Sequence, residues 1–287
     1  MKIAVTAASG KLGSEIIREL IPVVGADQVV GLARTPQKAQ SLGIEIRPGD
    51  YNAPNQLAES LAGIDSLLIV SGMDAPEKRI VQHRNVIESA KAAGVSKLVY
   101  TSIQGAESET GFSLIVQSNR QTEEDVRASG LAWCIGRNGI YIEPDIEYLE
   151  TYKRLGEIAN CAGDAKCGYT IRSELAYAYS KMLLTADHDG NTYNLHGESL
   201  TQQQLADYLN GAFGTSLAYR SMSVDQYREE RIAELGDFLG TVIAGIYEGI
   251  REGASNNESH FARAAGRPHQ SWPAYFEKLA SEKSGGV

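Results

Sequence analysis

The 287-residue chain has little positive charge, few cysteines and no long apolar run. Its 27 Lys and Arg residues stand against 36 Asp and Glu residues, which gives a formal net charge of −9. Because an acidic surface repels phosphate backbones, no nucleic acid is expected as a partner. No apolar run approaches the ~20 residues that span a bilayer, and the N-terminus reads as a strand instead of a secretion signal. We therefore expect a cytoplasmic protein without a membrane partner.

The scarcity of cysteine and histidine excludes two further classes of protein. An odd number of cysteines, Cys134, Cys161 and Cys167, argues against a disulfide framework and for a reducing compartment. Cys134 lies in an apolar run and is predicted to be buried, whereas the other two read as free thiols, with a regulatory disulfide as the open alternative. The five histidines lack ligand-like spacing, so no metal site is predicted.

The first half of the chain repeats one pattern, a short apolar run followed by a turn and an amphipathic stretch. The apolar runs predict strands at Ile3–Val5, Gln28–Leu32, Ile44–Ile46, Ser66–Val70, Lys97–Thr101 and Leu131–Ile135. Helices are predicted near residues 11–21, 36–42, 54–62, 77–93 and 117–129. Strands that alternate with helices indicate right-handed crossovers and a parallel sheet covered on both faces, which is a doubly wound α/β (Rossmann) fold.

The stretch VTAASGKLG joins the first predicted strand to the first helix. Amide groups at that helix N-terminus, together with the helix dipole, favour a pyrophosphate. Gly10 lets the backbone approach the phosphates, and Gly13 lets the helix pack closely on the strand. Ala7 occupies the place of the first glycine of the usual pattern, which is tolerable at negative φ and costly in the left-handed region. We predict an intact dinucleotide site.

The end of the second strand indicates which dinucleotide is bound. An enzyme that selects NAD places an acidic residue there to bind the ribose 2′-hydroxyl. This chain instead has Arg34, with Lys38 one turn later. A guanidinium suits a 2′-phosphate, so NADP(H) is predicted over NAD(H).

After about residue 140 the strand and helix pattern becomes irregular. The elements predicted there are a strand at Asn191–Leu195, a helix at Gln202–Asn210 capped by Thr201, and a strand near Leu217–Arg220. We predict a dinucleotide-binding domain at residues 1–140 and a smaller α+β substrate-binding lobe at 141–287, between which the chain can cross back. The last four residues, 284–287, are expected to fray.

Several motifs in order along the chain carry a family resemblance. They are TxxxGxLG at the first turn, ARTPQKA, GDYNAP, LLIVSG, IVQHRNVIESAKAAGV, YTS, RNGIY, RSELA and TVIAGIYEGIREGAS. In this order and spacing they resemble the NmrA-like atypical short-chain dehydrogenases. The resemblance covers most of the chain and implies NADPH bound along the carboxyl ends of the strands, reduction of quinones or conjugated dyes, and a C-terminal lobe that closes over the substrate.

The resemblance also implies roles for individual residues. By position it assigns the pyrophosphate to Gly10, Leu12 and Gly13, the adenine to Asp50 and Tyr51, the ribose to Ser71 and Gly72, and the nicotinamide to Thr101, Ser102 and Asn138. Thr6, Ser9 and Lys11 belong to the same first loop and are expected to contact the cofactor.

The usual acid of short-chain dehydrogenases is missing. Those enzymes reduce carbonyls with a Tyr and a Lys spaced YxxxK, but no tyrosine lies between Tyr100 and Tyr141 and no lysine between Lys97 and Lys153. A quinone or a delocalised cation can accept hydride without a simultaneous proton from the protein. The sequence therefore favours an NADPH-dependent reductase of a conjugated acceptor, with a non-catalytic NADP(H)-binding redox sensor as the alternative.

Catalytic candidates are Asn138, Tyr141 and Ser102. A flat acceptor could stack on Tyr141, Tyr148 or Tyr152, although packing between the lobes explains these tyrosines equally well. The polar segment 104–112 is predicted to act as a substrate lid, with an ordinary surface loop as the alternative. His83 lies mid-helix and is predicted to be a satisfied, partly buried histidine instead of a catalytic one. The sequence leaves a homodimer open.

Overall fold

A computed structural model describes residues 1–284 and contains strands and helices throughout this range. The strands are β1 (Ile3–Val5), β2 (Val29–Ala33), β3 (Glu45–Pro48), β4 (Ser66–Val70), β5 (Lys97–Ile103), β6 (Ala132–Asn138), β7 (Ile140–Tyr141), β8 (Glu157–Asn160), β9 (Tyr169–Thr170), β10 (Asn191–Leu195) and β11 (Ala218–Ser221). The α-helices are α1 (Lys11–Val24), α2 (Pro54–Ser60), α3 (Pro76–Ala92), α4 (Ser113–Arg127), α5 (Glu143–Glu147), α6 (Leu149–Leu155), α7 (Arg172–Leu184), α8 (Gln202–Phe213), α9 (Val224–Leu235), α10 (Asp237–Arg251), α11 (Phe261–Ala265) and α12 (Trp272–Ser284). Short 3-10 helices occur at Ala26–Gln28, Pro36–Leu42 and Ala186–His188.

Seven strands form one sheet in the order β10-β6-β5-β4-β1-β2-β3, and every pairing in it is parallel. Side chains alternate between its two faces. Ile3 and Val5 pack into the core shared with α1 and α7, whereas Ala4 packs into the core on the side of α3 and α4. Both faces are therefore buried, as the apolar strands require. The predicted doubly wound α/β fold is confirmed.

The chain returns to the sheet after entering the C-terminal lobe. Helix α7 packs against α1, and β10 pairs along β6 from Asn191↔Cys134 to Leu195↔Asn138. Residues 172–195 are therefore part of the sheet layers. Sheet and lobe are thus interleaved in sequence. The division of the chain into two domains at residue 140 stays a prediction.

The C-terminal lobe has its own hydrophobic cluster around Tyr169, Leu205 and Trp272. Two small parallel pairs, β7 with β9 and β8 with β11, support this cluster. Thr201 caps α8 in a capping box with Gln204, so the predicted cap is confirmed. The three cysteines are all buried and free.

The last residues, 285–287, lie outside the described part of the chain, and with them most of the segment predicted to fray. Within residues 1–284 there is no helix with both the length and the apolar character needed to cross a membrane.

Candidate active site

The loop between β1 and α1 contains a close approach of backbone to backbone. The amide of Gly10 donates to the carbonyl oxygen of Ala7 at 2.8 Å, and the amide of Ser14 donates to that of Gly10 at 3.0 Å. A Cβ atom on Gly13 would lie 2.5 Å from the Ala7 oxygen and 3.0 Å from the Thr6 oxygen, so a side chain there would force strand and helix apart. No side chain caps the helix at Gly10. The amides of the first turn are therefore available to an anion, as a pyrophosphate site requires.

Ala7 has a φ of +49°, in the left-handed region where alanine is strained and glycine is not. Replacing Ala7 with glycine is therefore expected to raise the free energy of unfolding by about 1 kcal/mol, with dinucleotide affinity unchanged or higher. Denaturant unfolding and a binding titration would measure both quantities. Ala8→Gly is the matched control: Ala8 is fully buried, so that variant should lose stability. A loss of stability or binding in Ala7→Gly would contradict the proposed loop conformation.

The hydroxyl of a partly buried tyrosine, Tyr51, links the loop to the neighbouring strand. The hydroxyl of Tyr51 lies 2.5 Å from Oγ1 of Thr6 and 2.8 Å from the carbonyl oxygen of Val70, and the amide of Val70 donates to the same Oγ1 at 2.8 Å. Burial raises the pKa of Tyr51, so it stays a neutral donor. The structure therefore places the Thr6 hydroxyl in a link between the ends of β1 and β4, where it positions the loop.

A cavity of about 260 Å³ opens above this loop, at the carboxyl ends of β1, β2 and β4. We call it the cofactor cavity. The sequence-predicted residues that line it are Ser9, Gly10, Arg34, Lys38, Asp50, Tyr51 and Gly72. Arg34 and Lys38 are both exposed and give the cavity two cationic side chains. Asp74 lines the same cavity, and hydrogen bonds from Gln82 and Lys78 hold its pKa low, with a smaller contribution from Arg34.

The turn after β4 is held by two neighbouring elements. The amide of Ser71 donates to Oγ1 of Thr101 at 2.9 Å, and the amide of Gly72 donates to Nε2 of His83 at 2.9 Å. Burial lowers the pKa of His83 to about 3, with a smaller effect from Arg79. The ring is therefore neutral, and its Nδ1 donates to Thr122 at 2.9 Å. The prediction that both ring nitrogens of His83 are satisfied is confirmed, although the side chain is fully buried instead of partly buried. His83 positions the predicted ribose-binding turn.

Ser102 lines neither the cofactor cavity nor a second cavity at the ends of β5 and β6. It is fully buried, and its hydroxyl donates to Oε1 of Glu123 at 2.6 Å. Arg120 and Arg137 bind the same carboxylate at 2.9 Å and 2.7 Å. Side chains alternate along β5, and Ser102 points from it into this ion-pair cluster under α4. The geometry therefore gives Ser102 a structural contact with Glu123, and a catalytic role for it stays a prediction.

A second cavity, of about 480 Å³, opens at the carboxyl ends of β5 and β6 under the C-terminal lobe. We call it the aromatic cavity, because six of its lining side chains are rings: Phe112, Tyr141, Tyr148, Tyr152, Tyr227 and Tyr247. Apolar residues of α9 and α10 complete the wall. A cavity of this size and lining suits a flat apolar ligand with one or more rings.

Asn138 and Tyr141 lie together in the wall of the aromatic cavity. The hydroxyl of Tyr179 donates to Oδ1 of Asn138 at 2.6 Å, and Nδ2 of Asn138 donates to the hydroxyl of Tyr141 at 3.0 Å. These bonds fix the orientation of the amide and leave the Tyr141 proton free to point elsewhere. Burial raises the pKa of Tyr141 to about 12. Two of the three predicted catalytic residues are therefore brought together.

Asp145 also lines the aromatic cavity, although sequence reasoning did not select it. It lies in α5 with only 5% of its surface exposed. Burial raises the pKa of Asp145 to about 6, partly offset by the hydroxyl of Tyr152, which donates to Oδ1 at 2.7 Å. In sequence it resembles an ordinary acid in the first turn of a helix. The five-residue helix is too short for periodicity to show which side is buried.

The remaining predicted residues of the first loop line neither cavity, whereas the predicted lid contributes to the aromatic cavity. Lys11 is exposed and forms an ion pair with Glu147 of α5 at 2.6 Å, whereas Leu12 is buried in the core behind the loop. The predicted lid, residues 104–112, contributes Gln104 and Phe112 to the aromatic cavity. Its end packs closely on α10, because a Cβ atom on Gly111 would lie 2.5 Å from the Thr241 carbonyl oxygen. Movement of this loop stays a prediction.

A parallel sheet with an uncapped helix N-terminus at its first crossover, and with cavities along its carboxyl edge, defines a dinucleotide-binding protein of the Rossmann class. A family model described as NAD(P)H-binding matches residues 7–159. Quinone oxidoreductase 2 of Escherichia coli is 33% identical over 262 residues, which are 90% of this chain and 91% of that protein. Its crystal structure with NADPH superposes with a TM-score of 0.84 at 30% identity, covering 96% of this chain and 99% of that one.

Two further relatives agree with this assignment. Triphenylmethane reductase of Citrobacter sp. in complex with NADP(H) has a TM-score of 0.87 and 30% identity, covering 98% of this chain and 100% of that one. An NmrA-like family domain-containing oxidoreductase of Aspergillus flavus is 26% identical over 267 residues, 88% of this chain and 86% of that protein. The chain therefore belongs to the NAD(P)H-binding family, among its NmrA-like oxidoreductases, and the resemblance seen in the sequence is confirmed.

Proposed function

We propose that the protein is an NADPH-dependent reductase that transfers hydride to a quinone-like or other conjugated aromatic acceptor. The observation that carries the proposal is the arrangement of two cavities along one sheet edge. The cofactor cavity lies over the ends of β1, β2 and β4, and the aromatic cavity lies over the ends of β5 and β6. Asn138 ends β6 in the wall of the aromatic cavity.

The residues of the cofactor cavity suit NADPH. Arg34 and Lys38 would bind the 2′-phosphate, and the amides at the start of α1 would bind the pyrophosphate. Ser71 and Gly72, held by Thr101 and His83, would contact the ribose. When bound, NADPH supplies the hydride.

The residues of the aromatic cavity would orient the acceptor and exclude water. Asn138, held by Tyr179, would position either the nicotinamide or the acceptor oxygen, and the tyrosines would stack on the acceptor rings. No tyrosine lies between Tyr100 and Tyr141 and no lysine between Lys97 and Lys153, and the YxxxK spacing of Tyr177 and Lys181 in α7 lines neither cavity. An alkoxide from a simple ketone would therefore find no Tyr and Lys donor pair in the segment after β5. The relatives named as quinone oxidoreductase and triphenylmethane reductase support a conjugated acceptor.

The direct test is NADPH consumption with a panel of quinones, dyes, enones and simple ketones. We expect turnover with the conjugated acceptors and little with the ketones. Tight NADPH binding without turnover on any acceptor would instead support a redox sensor. Equal rates with simple ketones would restore carbonyl reduction as the leading reaction.

Substitutions in the wall of the aromatic cavity test which side chains contribute to the rate of the reaction. Tyr141→Phe and Tyr148→Phe should not lower kcat by the ~10²–10⁴-fold typical of a lost general acid, because the ring survives. Asn138→Ala should lower kcat more, by ~10-fold or more, because orientation is lost. Steady-state kinetics with a benzoquinone would measure all three. Tyr208→Phe, in α8 away from both cavities, is the matched control. A collapse of kcat in Tyr141→Phe with unchanged cofactor affinity would make Tyr141 the acid.

A further inference from the structure

The aromatic cavity contains one carboxyl group among its described lining residues, that of Asp145. This side chain is nearly inaccessible, yet it is not paired with a cation: its hydrogen bond comes from the neutral hydroxyl of Tyr152 at 2.7 Å. Buried carboxyl groups without a cationic partner are costly when ionised. A group of this kind in a ligand cavity is a candidate acid.

The groups around Asp145 leave its charge uncompensated. The titratable groups that interact with it from the neighbouring elements are all neutral, with pKa values raised by burial: Tyr152, Cys167, Tyr169, Tyr227 and Tyr247. Among the described residues that line the cavity, Arg231 is the one cation, and it is held by Glu234 at 2.6 Å. With the pKa of Asp145 raised to about 6, its carboxyl group takes up and releases a proton close to neutral pH.

We infer that Asp145 is the proton donor that completes the reduction of quinone-like acceptors in the aromatic cavity, an inference that rests on the proposed function. Hydride addition to a quinone leaves a hydroquinone monoanion with its charge on oxygen. The Asp145 O–H bond breaks, a phenolic O–H bond forms, and a carboxylate remains. The transfer is downhill because a phenolate, with a pKa of about 10 for tyrosine, is the stronger base. After product release the carboxylate takes up a proton from the buffered solvent.

This role separates two kinds of acceptor. A quinone needs a proton as well as the hydride, whereas a triphenylmethane dye cation is neutralised by the hydride alone. Asp145→Asn keeps the size of the side chain and an oxygen acceptor for Tyr152 but has no acidic proton. We expect this variant to lower kcat for a benzoquinone by ~10²-fold and to leave kcat for the dye cation within about threefold. Glu150→Gln, which changes an exposed carboxyl group on α6, should leave both rates unchanged.

The pH dependence supplies an independent measurement. The donor is protonated below its folded pKa, so the wild-type rate with quinone should fall as the pH rises above about 6, and Asp145→Asn should lack this limb. In the protein without cofactor, NMR of ¹³C-carboxyl-labelled aspartate should show one resonance that titrates near that pH and is missing in Asp145→Asn.

Three results would overturn the inference. They are equal quinone rates in wild type and Asp145→Asn across the pH range, a parallel rise in KM for both acceptors with kcat unchanged, and a titration of Asp145 near pH 4. In each case the wild-type enzyme would still consume NADPH with quinones, and the proposed function would stand. If the wild type reduced no quinone at all, the proposed function itself would fail, and the proton-transfer step with it.

Discussion

Gly13→Val is expected to abolish NADPH binding while the rest of the sheet stays folded. The Cβ position is 2.5 Å from the Ala7 carbonyl oxygen, and the atoms it meets are backbone atoms that cannot rotate away. Valine adds two further methyl groups, so α1 must move off β1 and carry its amides away from the pyrophosphate position. Calorimetric titration with NADPH would measure the loss, which we expect to exceed ~10²-fold in Kd.

Two companion variants keep this prediction decisive. Gly13→Ala introduces the Cβ atom alone and should already weaken NADPH binding. Because it adds fewer atoms than valine, this variant is more certain to fold. Gly211→Ala is the matched control, because it also places a methyl group on a helical glycine, but one with no atom within 4 Å of the new Cβ. It should leave NADPH affinity unchanged. Normal binding in Gly13→Val with a native circular dichroism spectrum would mean that the first turn of α1 does not hold the cofactor.

Arg34→Glu is expected to weaken NADPH by about a hundredfold or more and to leave NADH nearly unaffected. The substitution removes one or two charge-assisted hydrogen bonds to the 2′-phosphate, each worth about 1.5–3 kcal/mol, and adds a like charge. NADH carries a hydroxyl group at that position, and this group can donate a hydrogen bond to the new carboxylate. The ratio of the two dissociation constants is therefore the informative quantity.

Net charge must be controlled in this comparison, because the chain is acidic at −9. Arg18→Glu makes the same change of charge on an exposed residue of α1 that does not line the cofactor cavity. It should shift both dissociation constants little. Equal losses of NADPH and NADH in Arg34→Glu would remove Arg34 from the 2′-phosphate site, and the effect of Lys38→Glu would then show whether the second cation binds it.

The fold could be predicted largely because its strands are short, apolar and separated by amphipathic helices. Three strands, Ile3–Val5, Ser66–Val70 and Asn191–Leu195, have the predicted bounds. The end of β6 was missed: residues 136–138, GRN, look like a turn, yet pairing with β5 and β10 keeps them extended to Asn138. At these three residues, pairing with the neighbouring strands outweighs the low intrinsic strand propensity of the sequence.

The candidate site was predicted unevenly for a related reason. The roles of Gly13 in the first turn and of Arg34 after β2 depend on the local backbone. The short sequence pattern around each residue was therefore enough to predict them. Ser102 and Asp145 depend on burial, which the sequence around them does not reveal. Ser102 meets Glu123 only because α4 packs on β5, and Asp145 is enclosed only after α6, α9 and α10 assemble around it.

The return of the chain through α7 and β10 has a consequence for how the molecule can be divided. A fragment that ends at residue 140 would lack the strand beside β6 and the helix that covers α1, so β6 would become an exposed apolar edge prone to intermolecular pairing. The lobe over the aromatic cavity is built from two segments of the chain, one between β6 and α7 and one after β10. Sheet and lobe should therefore unfold in one cooperative transition, and exchange of substrate lobes between related reductases would require three chain junctions, near residues 140, 171 and 195.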